Sequence, residues 1–238
     1  MNEQAKEVAK LIKNGKVTIF SGAGLSTESG LMDFRSKNGI WAHVDPTEMA
    51  SVGVMERRYN EFLSFYKSAL YVPETIKPNI GHTLIAEWEK KGLINGIITQ
   101  NIDGLHYKAG SQNIAELHGS LEPITCCSCG KRGSERDFLD GVPCECGGHL
   151  RPNVVLFGEM LPEKPLQLAD KWSNNCDTFI VLGSSLVVSP ANYFPRQAKN
   201  HGAKLVIINR ESTQCDSMAD IVVHEGIGNF LKEVSTFI

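Results

Sequence analysis

The side chain best suited to move a proton near neutral pH is His118, in the run Glu116-Leu117-His118-Gly119-Ser120. An imidazole titrates close to neutrality and can take a proton from a sugar hydroxyl under physiological conditions. His118 follows the polar string Thr99-Gln100-Asn101-Ile102-Asp103. Taken singly, Asn101 and Asp103 are common turn residues, and a histidine is more often a structural hydrogen-bond partner than a catalyst. Their company is what points to chemistry. Upstream, the apolar stretch from Val17 to Phe20 leads into Ser21-Gly22-Ala23-Gly24-Leu25-Ser26-Thr27-Glu28-Ser29-Gly30-Leu31-Met32-Asp33-Phe34-Arg35, as a phosphate-cradling loop follows its strand. The usual dinucleotide fingerprint wants glycine where Thr27 stands, and an acidic residue closing a second strand about twenty positions on. Asp45 lies in a segment with no strand before it, so a hydride-transferring dehydrogenase fits poorly.

Five of the seven cysteines fall between residues 120 and 152. Cys126-x2-Cys129 and Cys144-x-Cys146 form two close pairs separated by Gly130, Gly133, Gly141 and Pro143. Two thiolate pairs on turns can complete a tetrahedral zinc site, and four protein ligands leave no open coordination position, so such a zinc is structural. Cys127-x-Cys129 is an alternative first pair. Pro143 stands where a wider second pair would begin, which makes the Cys144/Cys146 loop the tighter of the two. A set of buried free cysteines is the bland alternative, and the neighbouring glycines speak against it. Cys176 and Cys215 lie apart and read as ordinary core or surface residues.

These residues need elements to hold them. Val8, Leu11 and Ile12 recur at helical spacing and stop at Asn14-Gly15, which predicts an amphipathic helix over 3–13. Short β-rich runs follow at Val17–Phe20, Ile94–Thr99, Val154–Phe157, Thr178–Leu182 and Lys204–Ile208, with helical patterns at His82–Lys91 and Pro190–Asn200. Such alternation implies an α/β protein with a parallel sheet, helices on both faces and ligands at the carboxyl ends of the strands. Gly22, Gln100, Gly183 and Asn209 each follow one of these runs, where that rule puts a site. Residues 32–80 and 120–152 interrupt the alternation and read as parts of a smaller module inserted into the main domain.

At 238 residues the chain can bury one large core with an insertion. Hydrophobic and charged fractions of 42% and 21% are ordinary for a globular protein. Lysines and glutamates punctuate the first twenty residues, leaving no apolar core for a signal peptide, and no run approaches the ~18 apolar residues of a membrane span. The expected location is cytoplasmic. An odd cysteine count then suits reduced thiols and metal ligation. The formal charge of −3 becomes two units more acidic when four thiolates hold one zinc ion. That balance argues against nonspecific nucleic-acid binding and is compatible with basic peptide partners.

Together the glycine loop through Asp33-Phe34-Arg35, the Gln100-Asn101-Ile102-Asp103 string, the His118 run and the cysteine pairs resemble the sirtuins, from Gly22 to at least Asn209. The resemblance implies a Rossmann-like parallel-sheet part, 1–31, 81–119 and 153–238, with an inserted helical and zinc-ribbon module, 32–80 and 120–152. It favours Cys126 and Cys129, with Cys144 and Cys146, as the zinc ligands, and NAD as co-substrate. By the same resemblance, the loop Gly22-Ala23-Gly24 with Thr27, Phe34 and Arg35 encloses the pyrophosphate, ribose and nicotinamide side of NAD. Gln100 contacts the nicotinamide ribose, Asn101 orders the pocket, and Ile102 and Asp103 hold the carboxamide. Gly183, Ser184 and Ser185 meet phosphate or ribose oxygens, Asn209 the adenosine ribose and Ile227 the adenine. An acyl-lysine peptide would add as a strand between Val155, Phe157, Gly158 and Glu159 on one side and Leu186 and Val187 on the other.

The implied reaction removes acetyl and other neutral acyl groups from protein lysines. The acyl oxygen attacks the nicotinamide ribose carbon, nicotinamide leaves, His118 acts as general base on a ribose hydroxyl, and water releases lysine and acyl-ADP-ribose. A mono-ADP-ribosyltransferase using the same pocket is one alternative, and a non-enzymatic zinc-ribbon interaction module is another. Sirtuins that prefer acidic acyl groups carry a tyrosine and an arginine where this chain has Leu63 and Tyr66. Arg57 and Arg58 precede that position by about two helical turns, roughly 11 Å. Neutral acyl groups are therefore expected to be preferred over succinyl.

Overall fold

The computed structural model describes residues 2–42 and 44–238. Helix α1 (Glu3–Asn14) places Ala5, Val8, Ala9 and Ile12 on one buried face, and Asn2 caps it by accepting from the Gln4 and Ala5 amides. Strand β1 (Val17–Ser21) is buried along its whole length and feeds a 3₁₀ turn at Ala23–Ser29. Three short helices follow, α2 (Pro46–Met49), α3 (Val52–Arg57) and α4 (Tyr59–Phe65), the last continuing as one π-turn over Tyr66–Leu70. Helix α5 (Ile80–Lys90) then leads to β2 (Ile94–Thr99), α6 (Leu105–Ala109) and β3 (Ile114–Glu116). The cysteine region comprises β4 (Gly119–Cys126), α7 (Glu135–Asp140) and β5 (Leu150–Val154). The chain returns through α8 (Glu163–Asn174), β6 (Thr178–Leu182), α9 (Tyr193–Asn200), β7 (Lys204–Ile208), β8 (Ile221–Val223) and α10 (Ile227–Ser235).

Six of the strands form one parallel sheet in the order β3-β2-β1-β6-β7-β8. The chain winds outward from β1 in both directions, so the loops after β1, β2 and β6 meet at a switch point. One face carries α1, α5 and α10, with Ile12, Trp88 and Phe230 in its core. The other carries α8 and α9, with Phe20, Trp172 and Phe179. Each of these large side chains is at most 7% exposed, and burial of one contributes about 1.5–3 kcal/mol. A third core joins Val54, Phe62, Phe65 and Tyr66 from residues 46–70 to Ile124, Phe138 and Leu150 from the cysteine region. Among the described residues no helix is long and apolar enough to cross a membrane.

The sheet departs from the sequence expectation in one important place. The run Val154–Phe157 is not a strand of the parallel sheet: β5 ends at Val154 and pairs antiparallel with β4, in a separate two-stranded sheet. Beyond Val154 the backbone groups are taken by other partners. Val155 N–H donates to the His118 carbonyl at 2.8 Å, and Phe157 exchanges bonds with Ala50 O and Val52 N. An apolar run that buries Val154 and Leu156 on the neighbouring core has the composition of a sheet strand without its pairing. The strands Ile114–Glu116 and Ile221–Val223 carry only three residues each, too few for a period-two signal. The helix expected from Pro190 begins at Tyr193, after a turn, and the one expected from His82 begins at Ile80, capped by Asn79.

Candidate active site

The loops after β1 and β6 are in backbone contact. Gly22 N–H donates to Leu182 O at 3.0 Å and Gly24 N–H to Gly183 O at 2.9 Å. A Cβ on Gly22 would stand 2.6 Å from Gly183 O, and Gly183 has φ +64° with room for no side chain against the Leu25 amide. Glycine is required here because two main chains touch at the switch point. Ser184 sits just beyond, its hydroxyl donating to Gln100 Oε1 at 2.7 Å, so the loop after β6 is fastened to the loop after β2.

His118 enters from the short connection between β3 and β4. Its Nδ1 lies 3.1 Å from Gln100 O, and a carbonyl can only accept, so Nδ1 carries the proton and Nε2 keeps a free lone pair. Burial pushes the imidazole below its ordinary range, the Gln100 carbonyl opposes this, and the Arg35 cation lowers it further. Asn101 is 5% exposed. Its Nδ2 donates to Gly22 O at 3.1 Å and to Ser26 Oγ at 3.2 Å, while its Oδ1 has no partner among the described residues. Ser26 in turn donates to Asp103 Oδ2 at 2.7 Å, and Asp103 Oδ1 accepts the Leu105 amide at 2.8 Å.

One cavity of about 510 Å³ gathers these groups. Gly22, Ala23, Gly24, Thr27, Phe34, Arg35, Gln100, Asn101, Ile102, His118, Gly183, Ser184, Ser185, Asn209 and Ile227 all line it, as do Val155, Phe157, Gly158 and Glu159. Three residues picked from sequence do not. Asp103 lines an adjoining pocket beside Ile102, Tyr66 and Leu70 and holds Ser26. Leu186 is only 1% exposed and packs into the α8–α9 core, in a left-handed conformation with φ +55°. Val187 is half exposed, and it is Val188 that reaches the cavity.

Sequence reasoning placed Tyr66 at the acyl end but missed Trp41, Ala50 and Leu70, which complete that apolar end with Val154 and Leu156. Phe34, Trp41 and Phe65 form a stacked series, with centroids 5.5 and 5.3 Å apart. The aromatic density of residues 34–66 was the available signal. Glu28 was also missed. It accepts the Gly228 amide at 3.0 Å and ties the glycine loop to the start of α10 beside Ile227.

The turn after β5 is held by charge. Arg151 Nη1 and Nη2 meet the two oxygens of Glu159 at 2.6 and 3.0 Å, and Glu159 Oε2 also accepts the Leu156 amide at 2.8 Å. The Glu159 side chain is thus committed to its own turn, and the cavity meets a backbone strip whose conformation the ion pair sets.

The sulfurs of Cys126, Cys129, Cys144 and Cys146 all lie within 4.8 Å of one another, with Cys126 and Cys146 3.6 Å apart and Cys129 and Cys144 3.7 Å apart. Tetrahedral zinc with thiolates at ~2.3 Å needs sulfurs about 3.8 Å apart, so the cluster fits that ion. Cys127 is outside the cluster, its sulfur 3.9 Å from Met55 Sδ.

The Sir2 family model matches residues 22–190. A relative from Geobacillus kaustophilus, NAD-dependent protein deacetylase 1, is 49% identical over 220 residues, covering 91% of each chain. The NAD-dependent protein deacetylase of Oceanobacillus iheyensis is 46% identical, over 94% of this chain and 97% of its own. Among solved structures, a Sir2 variant with deacetylated p53 peptide and 3'-O-acetyl-ADP-ribose superimposes with a TM-score of 0.93 at 36% identity, over 97% of both chains. A Sir2 bound to a propionylated peptide gives 0.88 at 36% identity, over 98% of both.

Proposed function

The chain belongs to the Sir2 family, and from that membership and its cavity we infer that it is an NAD-dependent protein-lysine deacetylase. It removes acetyl groups from lysine side chains and releases nicotinamide and O-acetyl-ADP-ribose. NAD is the co-substrate, and one zinc ion on Cys126, Cys129, Cys144 and Cys146 is structural. The observation that carries this reading is a single cavity joining a glycine-lined end, suited to a dinucleotide, to an apolar end suited to a neutral side chain, with His118 in its wall.

In this reading His118 is the general base. Gln100 O retains the Nδ1 proton, so the proton arriving from a ribose hydroxyl goes to Nε2, and burial keeps the imidazole in its base form at neutral pH. Gly22, Ala23, Gly24, Thr27, Phe34 and Arg35 bind NAD from the first loop, with Gln100 and Ile102 from the second. Gly183, Ser184, Ser185, Asn209 and Ile227 take its ribose and adenine side. Asn101 orders the nicotinamide end, where its unpartnered Oδ1 offers an acceptor, and Asp103 acts through Ser26. The two interrupting segments, which share the third core, are assigned to the small module, and the sheet with its helices to the NAD-binding part.

The peptide lies along the backbone strip Val155–Glu159, facing the loop Leu186–Val188, and its acyl-lysine reaches the apolar end. A charged lysine there would be desolvated without a partner, whereas the acylated side chain is neutral. The test is a panel of acyl-lysine peptides incubated with and without NAD. Equal amounts of nicotinamide, free lysine peptide and acetyl-ADP-ribose are expected by mass. ADP-ribosylated peptide as the main product would overturn the assignment in favour of a transferase.

A further inference from the structure

Behind the cavity runs a polar chain that the reaction itself does not use. Ser21 and Thr99 end adjacent strands and stand in register. Ser21 Oγ donates to Thr99 Oγ1 at 2.8 Å, and Thr99 Oγ1 also accepts the Asn101 amide at 3.0 Å. A serine hydroxyl has one proton. With that proton committed to Thr99, its oxygen accepts at the 2.8 Å contact with His106 Nε2, which makes His106 the Nε2–H tautomer.

The chain is closed to water: Ser21, Thr99 and His106 are each at most 3% exposed. His106 lies on α6, its ring packed edge-on against His82 of α5 with centroids 5.0 Å apart. Burial lowers both imidazoles, His106 to about 3 and His82 to about 4, so both stay neutral where the enzyme works.

We propose that His106 is a positioning residue for the nicotinamide end of the NAD site, acting through the directed chain His106–Ser21–Thr99 on the turn that carries Asn101. Beyond that turn, Asn101 Nδ2 reaches Gly22 O and Ser26 Oγ, and Ser26 reaches Asp103, so one hydrogen-bonded series links the loops after β1 and β2. The role rests on the assignment of Asn101 and its neighbours to NAD. The sense of the chain matters because removing its terminal donor leaves the Ser21 oxygen, which still donates to Thr99, without its incoming N–H in a dry interior.

Two measurements on the zinc-loaded full chain test this. Nitrogen-15 NMR of the His106 ring at pH 7 should show a protonated Nε2 and a bare Nδ1, a pattern that Ser21→Ala disturbs. His106→Leu should raise the KM for NAD and the nicotinamide inhibition constant roughly three- to tenfold, the scale of one buried hydrogen bond, and leave the peptide KM unchanged. Calorimetric binding of NAD should weaken in parallel. His106→Gln, whose amide nitrogen can donate to Ser21, should come within about twofold of wild type on the same scale.

An Nδ1–H tautomer, or wild-type NAD and nicotinamide affinities in folded His106→Leu, would overturn the proposal. If His106→Leu does not fold, Ser21→Ala and Thr99→Val each break one link and must show the same selective loss, or the proposal fails. A wild-type chain lacking NAD-dependent turnover would instead sink the functional reading, while the tautomer would still be measurable.

Discussion

In its proposed role His118 acts as a base only while its Nε2 lone pair is free, and two features of its surroundings keep it so. The Gln100 carbonyl holds the other ring proton, and burial with Arg35 nearby disfavours the imidazolium. His118→Ala is expected to bind NAD by calorimetry yet lose ~10²–10⁴-fold in kcat. The sign of its pKa shift is also testable. A base lowered from the ordinary value of about 6.5 leaves kcat/KM flat through neutrality, with an acid limb only below that value. A limb centred above pH 7 would contradict it. A second consequence concerns the acyl group. Tyr66 lines the cavity, Leu63 is buried near Gly141 outside it, and Arg58 is engaged by Glu48 and Glu61. Arg151 is paired with Glu159 and does not line the cavity. Among the described residues of the apolar end, Trp41, Ala50, Tyr66, Leu70, Val154 and Leu156, a succinyl carboxylate would meet no cation, the arginines of the cavity being Arg35, assigned above to NAD, and Arg210. The penalty of about 3 kcal/mol or more means that acetyl-lysine should exceed succinyl-lysine in kcat/KM by about 100-fold. Comparable values for the two forms of one peptide would refute this.

Two elements support the side of the cavity proposed to take the substrate. The turn after β5 depends on Arg151 and Glu159, whose side chains are 14% and 30% exposed. Glu159→Gln removes the charge but keeps an acceptor, and Arg151→Met removes the fork altogether. Each should raise the peptide KM, Arg151→Met more, with the KM for NAD unmoved. Equal loss on both substrates would mean that the ion pair supports the whole fold instead. The cysteine region backs the apolar end of the cavity: Tyr59 Oη donates to Leu150 O at 2.6 Å, and Phe138 meets Tyr66, which lines the cavity, edge-on at 5.9 Å. Cys144→Ser should release the metal and lower Tm, with activity lost as Tyr66 loses its support. Fully active protein containing no zinc would exclude that dependence.

At the scale of the whole molecule, two buried neutral histidines make stability depend on acid. His82 and His106 have folded-state values near 4 and 3, against about 6.5 in the unfolded chain. Between those limits the unfolded state binds more protons, so stability rises with pH there and is lost as pH falls from about 6.5 toward the folded values. Denaturant midpoints measured from pH 7.5 down to 4.5 should fall through this window. His82→Phe should flatten the slope. A slope unchanged by that substitution would assign the acid sensitivity to carboxylates.

How much of this was legible without coordinates follows from the range of each interaction. The choice of Cys126 over Cys127 and the role of His118 came from the resemblance to a family. The parallel sheet, the glycine loop and two cysteine pairs are written in local spacing, because strand periodicity, turn chemistry and metal chelation all act between near neighbours. The same holds for Gly22 and Gly183, although their shared reason, a backbone contact between two loops, spans 161 residues. What only the tertiary structure decided is what depends on distant partners. Val154–Phe157 left the sheet because His118, Ala50 and Val52 occupy its backbone. Asp103 holds Ser26, Leu186 turned into the core, and Trp41 and Leu70 joined Tyr66 at the apolar end of the cavity. The pairing of His106 with Ser21 belongs to the same class, since packing fixes which donor meets which acceptor and a sequence carries no local trace of it.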